Sequence, residues 1–199
     1  MSKAIYTVAI TGASGSIYGI RLIEELLKAG CRVNLVISET GKEVLLHETG
    51  IDLRGSEEEA QKKAKKYFKK GSVTLFDNSN LFASISSGSY RTDGMIIAPC
   101  SMGTLGRVAS GHSVSLIERT ADVMLKEKRH LVLVPRETPL NQIHLENMLK
   151  LSRMNVDIIP AMPAFYQRPK TVDDLINFVV GKVLDLLKIE HSLFERWGK

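Results

Sequence analysis

The sequence has few cysteines and no long apolar run, and these two features argue against a disulfide-rich protein and against a membrane protein. Only Cys31 and Cys100 occur in 199 residues, without CxxC or metal-ligand spacing, so we expect two reduced thiols and no disulfide framework. No apolar run approaches the roughly 20 residues that a membrane span needs, and the strand-like run after Lys3 lacks a signal-peptide layout. These absences predict a cytoplasmic protein without a membrane segment.

Internal repeats, linkers and low-complexity segments are also missing. A chain of 199 residues with 44% hydrophobic content can bury one sizeable core and would be a tight fit for two. The sequence therefore predicts a single domain over residues 1–199.

The net charge of +5 and the pI near 9.2 raise the question of an anionic partner. Most clustered lysines lie in "AQKKAKKYFKKG" (60–71), directly after the acidic "SEEEAQ". Acids near the start of a helix and lysines near its end suit the helix dipole. We interpret the segment as a solvated helix and expect no nucleic-acid partner; a binding patch is the alternative.

Short apolar runs alternate with helical periods along the chain. Near-continuous Val/Ile/Leu strands between amphipathic helices predict an α/β fold: a doubly wound, Rossmann-like (flavodoxin-like) parallel sheet with helices on both faces. The predicted strands are 4–10, 32–37, 73–76, 94–99, 130–135 and 156–160, and the main helices are 17–30, 120–129, 140–154 and 171–187. Ligands of such sheets bind beyond the carboxyl ends of the strands.

The first strand leads into "TGASGSIYG" (11–19). Gly12 and Gly15 allow close approach of a ligand to the backbone, and the helix that follows offers free N–H groups, which is typical of a phosphate site. Walker and GxGxxG spacings are absent. The loop resembles the entry of short-chain dehydrogenases, but their Tyr-xxx-Lys pair has one match, Tyr166 to Lys170, which Pro169 keeps out of a helix. A purely structural turn is the remaining alternative.

Polar side chains also follow the other predicted strands, and some of them have two interpretations. Glu39 could hold a ribose or open a helix, and Cys100 could be a nucleophile or a packed thiol. Ser101 and Thr104 are placed to hydrogen-bond a ligand. Arg119 and Lys126, seven residues apart, share one helical face and by themselves are more typical of a surface. The strand "LVLVPRETPL" (131–140) ends in an Arg-Glu pair between two prolines.

Together these motifs make the chain similar to a known family. "TGASGSIYG", "APCSMGT", "LIERTADVMLKEKRHLVLVPRETPL", "HLENMLKLS" and "PAMPAFYQRP" resemble the UbiX-type flavin prenyltransferases of the flavin-binding cysteine decarboxylase superfamily. The resemblance is collinear over nearly the whole chain.

The resemblance implies that reduced FMN is the prenyl acceptor and dimethylallyl monophosphate the donor. It maps FMN contacts onto Gly12, Ala13, Ser14, Ser38, Ser101, Met102, Gly103, Thr104 and Arg119. It maps the donor site onto Lys126, Arg136, Glu137, Tyr166 and Lys182, where Lys182 replaces a familiar Arg. The catalytic set it implies is Ser14, Glu48, Lys126, Arg136 and Glu137.

The implied reaction transfers a dimethylallyl group to N5 and C6 of the flavin without a metal. Asp173 and Asp174 lack the third acid of a DDxxD magnesium site and more simply open a helix capped by Thr171. Basic side chains would stabilise the leaving phosphate instead. The resemblance also implies a homododecamer with active sites between subunits, and a UbiD-type decarboxylase as recipient of the product.

Two alternative functions and two candidate interface segments remain. A flavin-dependent decarboxylase of the same superfamily would use His47 or His112 but needs PASANT and PxMNxxMW signatures, which are absent; a non-catalytic flavin carrier is the other alternative. Two apolar clusters predict subunit interfaces. They contain Leu81, Phe82 and Ile85, and Phe194 and Trp197.

Overall fold

The structure is a computed structural model, and it describes residues 3–69 and 71–196. The strands in this part of the chain are β1 (Ile5–Ile10), β2 (Arg32–Ile37), β3 (Ser72–Asp77), β4 (Gly94–Cys100), β5 (His130–Pro135) and β6 (Asp157–Ile158). The α-helices are α1 (Ser16–Lys28), α2 (Glu39–Thr49), α3 (Glu57–Tyr67), α4 (Met102–Ala109), α5 (Leu116–Lys126), α6 (Gln142–Ser152) and α7 (Val172–Leu186).

The strands form one sheet in the order β3-β2-β1-β4-β5-β6, and every neighbouring pair is parallel. The order reverses between β1 and β4, which is the switch point where doubly wound sheets bind their ligands. The predicted doubly wound fold is confirmed. The loops after β1 and β4 consequently lie side by side.

Helices cover both faces of the sheet, as predicted. Successive strand residues point to opposite faces, so Val8 packs with α1, α2, α3 and α7 on one face, while Ala9 packs with α4, α5 and α6 on the other. The helix at 57–67 has a capping box between Ser56 and Glu59, and acids occupy its first turn. The prediction that the lysine-rich segment is helical is confirmed.

The last strand is shorter than the predicted run 156–160. Regular pairing covers Asp157 and Ile158 only, because Pro160 has no N–H to donate and therefore ends a regular ladder. The amides of Ile159 and Ala161 still donate to Leu133 and Pro135 at 2.8 and 2.9 Å. The chain after β6 thus stays beside the end of β5.

Candidate active site

The loop after β1 is fixed by glycines at two places. A Cβ added to Gly12 would lie 2.6 Å from Cγ2 of Thr40, so a larger residue would push β1 and α2 apart. Gly15 has φ +100° immediately before α1 begins at Ser16, a conformation that glycine adopts without strain. Ser14 is exposed between them.

The first amides of α1 already have an acceptor. Glu48, in the last turn of α2, accepts hydrogen bonds from the amides of Gly15 (3.0 and 3.1 Å) and Ser16 (2.9 Å). A carboxylate therefore occupies the helix end that the sequence offered to a phosphate, and the phosphate site expected at this loop stays a prediction.

Partial burial raises the pKa of the Glu48 carboxyl, but hydrogen bonds from the Ser14 hydroxyl and from the Ser16 and Gly15 amides outweigh burial. The resulting pKa lies below the ordinary value of a glutamic acid, so Glu48 is ionised at neutral pH. This places a negative charge beside Ser14, and the catalytic role of Glu48 stays a prediction.

The loop after β4 is tied to the loop after β1. The hydroxyl of Thr11 donates to the carbonyl of Pro99 at 2.8 Å and accepts from the amide of Ser101 at 2.8 Å. Ser101 caps α4 by accepting from the amide of Thr104 at 3.3 Å. Met102 is another predicted flavin contact in this loop, but its side chain is buried in the core. It can therefore reach a ligand only through its backbone.

Cys100, the last residue of β4 and the one before Ser101, is fully buried. Burial raises the pKa of its thiol to about 12, which leaves almost no thiolate at neutral pH. The reading of Cys100 as a packed thiol is confirmed.

The end of β5 meets the first loop directly. Nε of Arg136 donates to the carbonyl oxygen of Ser14 at 3.1 Å, although the two residues are 122 positions apart. Glu137 is exposed, and one of its carboxylate oxygens accepts from the amide of Thr138 at 3.0 Å. The predicted arginine of the donor site thus touches the predicted flavin loop.

A cavity of about 350 Å³ opens beside these loops. It lies where the ends of β2 and β3 face the start of α4 and of α5. Its walls contain the apolar side chains of Val114 and Ile117 together with six polar residues, which are Ser38, Asn78, Thr104, Arg107, Ser115 and Glu118. Hydroxyls, an amide and a guanidinium are donors that fit an anionic phosphate, so the predicted contacts Ser38 and Thr104 face a site suited to the phosphate end of FMN.

Arg107 was missed by the sequence analysis. It follows the "SMGT" loop by one helical turn and looks like an ordinary helix residue. The signal that could have found it is its i+3 spacing from Thr104, which places both side chains on one helix face.

Tyr166 packs against α7, the helix that also carries Lys182. The ring of Tyr166 packs edge-on against Phe178, with 5.9 Å between centroids, and Lys182 lies four residues further along the same face of α7. Tyr166 is about half exposed, at 53%, and it lines a cavity of about 730 Å³ with Arg168, Lys170 and Arg196. Phe178 thus contacts Tyr166 and precedes Lys182 by about one turn of α7.

Lys126 and Arg119 lie elsewhere in the single chain. Lys126 ends α5, four residues before β5, and pairs with Glu127; Arg136 follows the other end of β5. A six-residue strand spans roughly 20 Å, so one chain does not place both on the same phosphate. Arg119 donates to Asp122 at 2.8 Å and to the carbonyl of Ser86 at 3.1 Å, away from the cavity.

Glu39 opens α2 and pairs with Lys42 at 2.7 Å, which confirms its helical interpretation. Asp173 and Asp174 open α7, where Thr171 accepts from the amide of Asp174 at 3.2 Å, so their reading as helix-start residues is confirmed.

Within residues 3–69 and 71–196, no group of three or more His, Cys, Asp and Glu side chains converges as a metal site would require. No helix within the same ranges is long and apolar enough to cross a membrane.

Comparison with known proteins identifies relatives over the full chain. A family model described as "Flavoprotein" matches residues 1–184. The chain is 59% identical to the flavin prenyltransferase UbiX of Halalkalibacterium halodurans over 199 aligned residues, which cover 99% of this chain and 95% of the relative.

Two solved structures are similar to the structure of this chain. AnUbiX, crystallised with FMN and dimethylallyl pyrophosphate, has a TM-score of 0.89 at 39% identity and covers 100% of this chain and 99% of its own. A dodecameric FMN-dependent UbiX-like decarboxylase from Escherichia coli O157:H7 has a TM-score of 0.86 at 43% identity, covering 98% of this chain and 100% of its own.

Proposed function

The chain belongs to the UbiX flavin prenyltransferases within the wider flavoprotein family, and we propose that it transfers the dimethylallyl group of dimethylallyl monophosphate to N5 and C6 of reduced FMN. Within the chain's own geometry, the contact between Arg136 and Ser14 carries this proposal. It joins the arginine predicted to bind the donor phosphate to the loop predicted to hold the flavin, so the donor and the acceptor would meet at the end of β5.

Reduced FMN supplies the nucleophilic N5 and the carbon that accept the prenyl group. The guanidinium of Arg136 stabilises the phosphate as it leaves, because positive charge at that point lowers the energy of the developing anion. Glu137 is adjacent and exposed, which suits it for moving a proton between the donor phosphate and the flavin. The ionised Glu48 adds a negative charge beside Ser14.

We propose a homododecamer, as in the Escherichia coli relative, and an active site shared between copies. The separation of Lys126 from Arg136 by the length of β5 supports this arrangement. Lys126 would then act on the donor phosphate of a neighbouring copy. Arg119, on the same face of α5, would reach the flavin of that copy.

The remaining parts of the proposal concern location and product. We propose a cytoplasmic protein, since both cysteines are unpaired and buried, and a UbiD-type decarboxylase as the recipient of the prenylated flavin. The reaction would proceed without a metal ion, with basic side chains in its place.

The test is anaerobic incubation of the purified protein with reduced FMN and dimethylallyl monophosphate, followed by mass spectrometry of the released flavin. We expect a flavin heavier by one isoprene unit, formed equally well in excess EDTA. A parallel reaction with dimethylallyl pyrophosphate compares the two donors. Unchanged FMN in both reactions would refute the proposed function.

A decarboxylase is the second candidate, because the Escherichia coli relative carries that name. The described chain offers it little chemistry, since the Cys100 thiol is buried with a pKa of about 12 and His112 lies exposed in a loop. Release of carbon dioxide from a cysteine-ended peptide, with no prenylated flavin, would favour this candidate. Neither activity, with FMN bound, would indicate a carrier.

A further inference from the structure

Arg107 is held in the cavity at the start of α4 by a buried carboxylate. Its Nε donates to Oε1 of Glu118, whose side chain is 3% exposed. The other oxygen of Glu118 accepts from the amides of Val114 and Ser115 at 3.0 and 3.1 Å. Glu118 is therefore saturated on its buried side and fixes the orientation of the guanidinium.

The outer edge of the guanidinium points along the first turn of α4. Nη2 lies 3.3 Å from the hydroxyl of Thr104, and Nη1 lies 3.4 Å from the place where a Cβ of Gly103 would be. Among residues 3–69 and 71–196, Nη1 donates to no acceptor. Because Gly103 has no side chain, a ligand can approach the backbone and Nη1 together.

The size of the cavity limits what it can hold. Its volume of about 350 Å³ is near the lower end of the roughly 300–1,000 Å³ of small-molecule sites, so it accommodates part of a flavin nucleotide. The hydroxyl of Thr104 and the guanidinium of Arg107 lie 3.3 Å apart in its wall at the start of α4. This pair of hydrogen-bond donors favours the phosphate end.

We propose that Arg107 binds the phosphate of FMN in this chain, with Glu118 as the residue that positions it. This inference rests on the proposed use of FMN and adds a cation that the family motifs did not supply. It also explains how the chain neutralises the phosphate although Arg119 is engaged with Asp122 and Ser86. A planar arginine can donate to two phosphate oxygens from Nη1 and Nη2.

The test compares two oxidised flavins that differ only in the phosphate. FMN and riboflavin are titrated into the wild-type protein, Arg107→Ala and Arg107→Lys, and binding is followed by flavin fluorescence. The control is Arg32→Ala, because Arg32 is an exposed arginine at the amino end of β2, opposite the strand ends that carry the cavity. A charged hydrogen bond of this kind is worth about 10- to 100-fold in affinity.

We expect Arg107→Ala to weaken FMN binding by about 10- to 100-fold while riboflavin binding is unchanged within error. Arg107→Lys should fall between wild type and Arg107→Ala, and Arg32→Ala should match wild type. Inorganic phosphate should compete with FMN in the wild-type protein and not in Arg107→Ala.

Equal weakening of both flavins in Arg107→Ala would show that Arg107 supports only the packing of α4 on α5 and would overturn the inference, as would unchanged FMN affinity. Thermal melting of each variant identifies a folding defect. If Arg107→Ala has such a defect, the FMN and riboflavin affinities of Arg107→Lys, which retains the charge, test the inference instead. Prenylation is not the readout, so FMN binding without a heavier flavin product would refute the proposed function and leave the role of Arg107 intact.

Discussion

Glu118 and Arg119 are neighbours in the sequence, yet their side chains serve different surfaces. Successive residues on a helix point about 100° apart, so Glu118 turns into the cavity beside α4 and Arg119 turns toward Ser86. Sequence motifs identify residue types, but the rotation of α5 decides which charge faces the cavity. The same logic accounts for the missed Arg107.

Glu137 is exposed, and within residues 3–69 and 71–196 its carboxylate accepts one hydrogen bond, from the amide of Thr138, so it can exchange a proton with a ligand. Glu137→Gln keeps the shape of the side chain and removes this group. We expect FMN affinity to be retained and the prenylation rate to fall by about 100- to 10,000-fold, measured by flavin mass after timed turnover. Glu146→Gln, an exposed acid of α6, is the control. Equal rates in wild type and Glu137→Gln would reduce Glu137 to a neighbour of Arg136.

Tyr166 is half exposed, packs against Phe178 and lines the larger cavity. Tyr166→Phe should weaken binding of dimethylallyl phosphate by about 0.5–3 kcal/mol, the range of one hydrogen bond to a neutral or charged group. Titration of the FMN-loaded variant with the donor measures this change, and its FMN affinity, which should stay at the wild-type value, serves as the internal reference. Unaltered donor affinity would assign Tyr166 to packing alone.

The helix α2 contacts two loops of the predicted site, one at each of its ends. Ser38 caps its start by accepting from the amide of Gly41 at 3.1 Å, and Glu48 in its last turn accepts from the first amides of α1. One helix thereby positions a predicted flavin contact at its start and a predicted catalytic acid at its end. The short turn from β1 into α1 depends on that acid.

Removing the Glu48 carboxylate should destabilise the fold in a pH-dependent way. The folded-state pKa is lowered, so the stabilisation is present above the unfolded pKa of about 4.3 and is lost as pH falls through the lower folded value. Glu48→Ala should cost about 0.5–1 kcal/mol near pH 7 by analogy with helix caps, reduced by solvent screening. Urea unfolding near pH 7 and near pH 3 measures both values.

In that experiment the difference between Glu48→Ala and wild type should shrink at the lower pH. Glu43→Ala, an exposed acid of the same helix that pairs with Arg54, should show a smaller change near pH 7. A deficit of the same size at both pH values would mean that the lost side-chain packing, and not the charge, is responsible.

The whole molecule exposes apolar side chains in groups. Phe82 is fully exposed and Leu81 is 42% exposed, as predicted for an interface, but Ile85 is buried in the core under α5, so its assignment to that surface is wrong. Phe194 is half-buried against Phe178, and Trp197 lies outside the described residues. Ile143 and Leu149 of α6 add further exposed apolar area.

We expect the wild-type protein to be a large homo-oligomer by light scattering at micromolar concentration. Phe82→Asp should shift it to smaller species, because an unpaired carboxylate in a subunit interface is costly. Lys62→Ala, an exposed residue of α3, changes the net charge equally and should leave the size unchanged. A monomeric wild-type protein, or a Phe82→Asp variant of wild-type size, would contradict this role of the segment.

The sequence by itself determined the local elements and the class of fold. Apolar runs such as β1 and β5 and the amphipathic period of α7 are set by neighbouring residues, and the family motifs follow from residue order. Only the tertiary structure decided which side chains meet, because the contacts between Arg136 and Ser14 or between Glu48 and Gly15 join distant positions through the sheet. The strand order likewise separates Lys126 from Arg136 by the length of β5, and the rotation of α4 and α5 brings Arg107 to Glu118. Spacing along a chain contains no such information, because burial and hydrogen bonding act on distances in space.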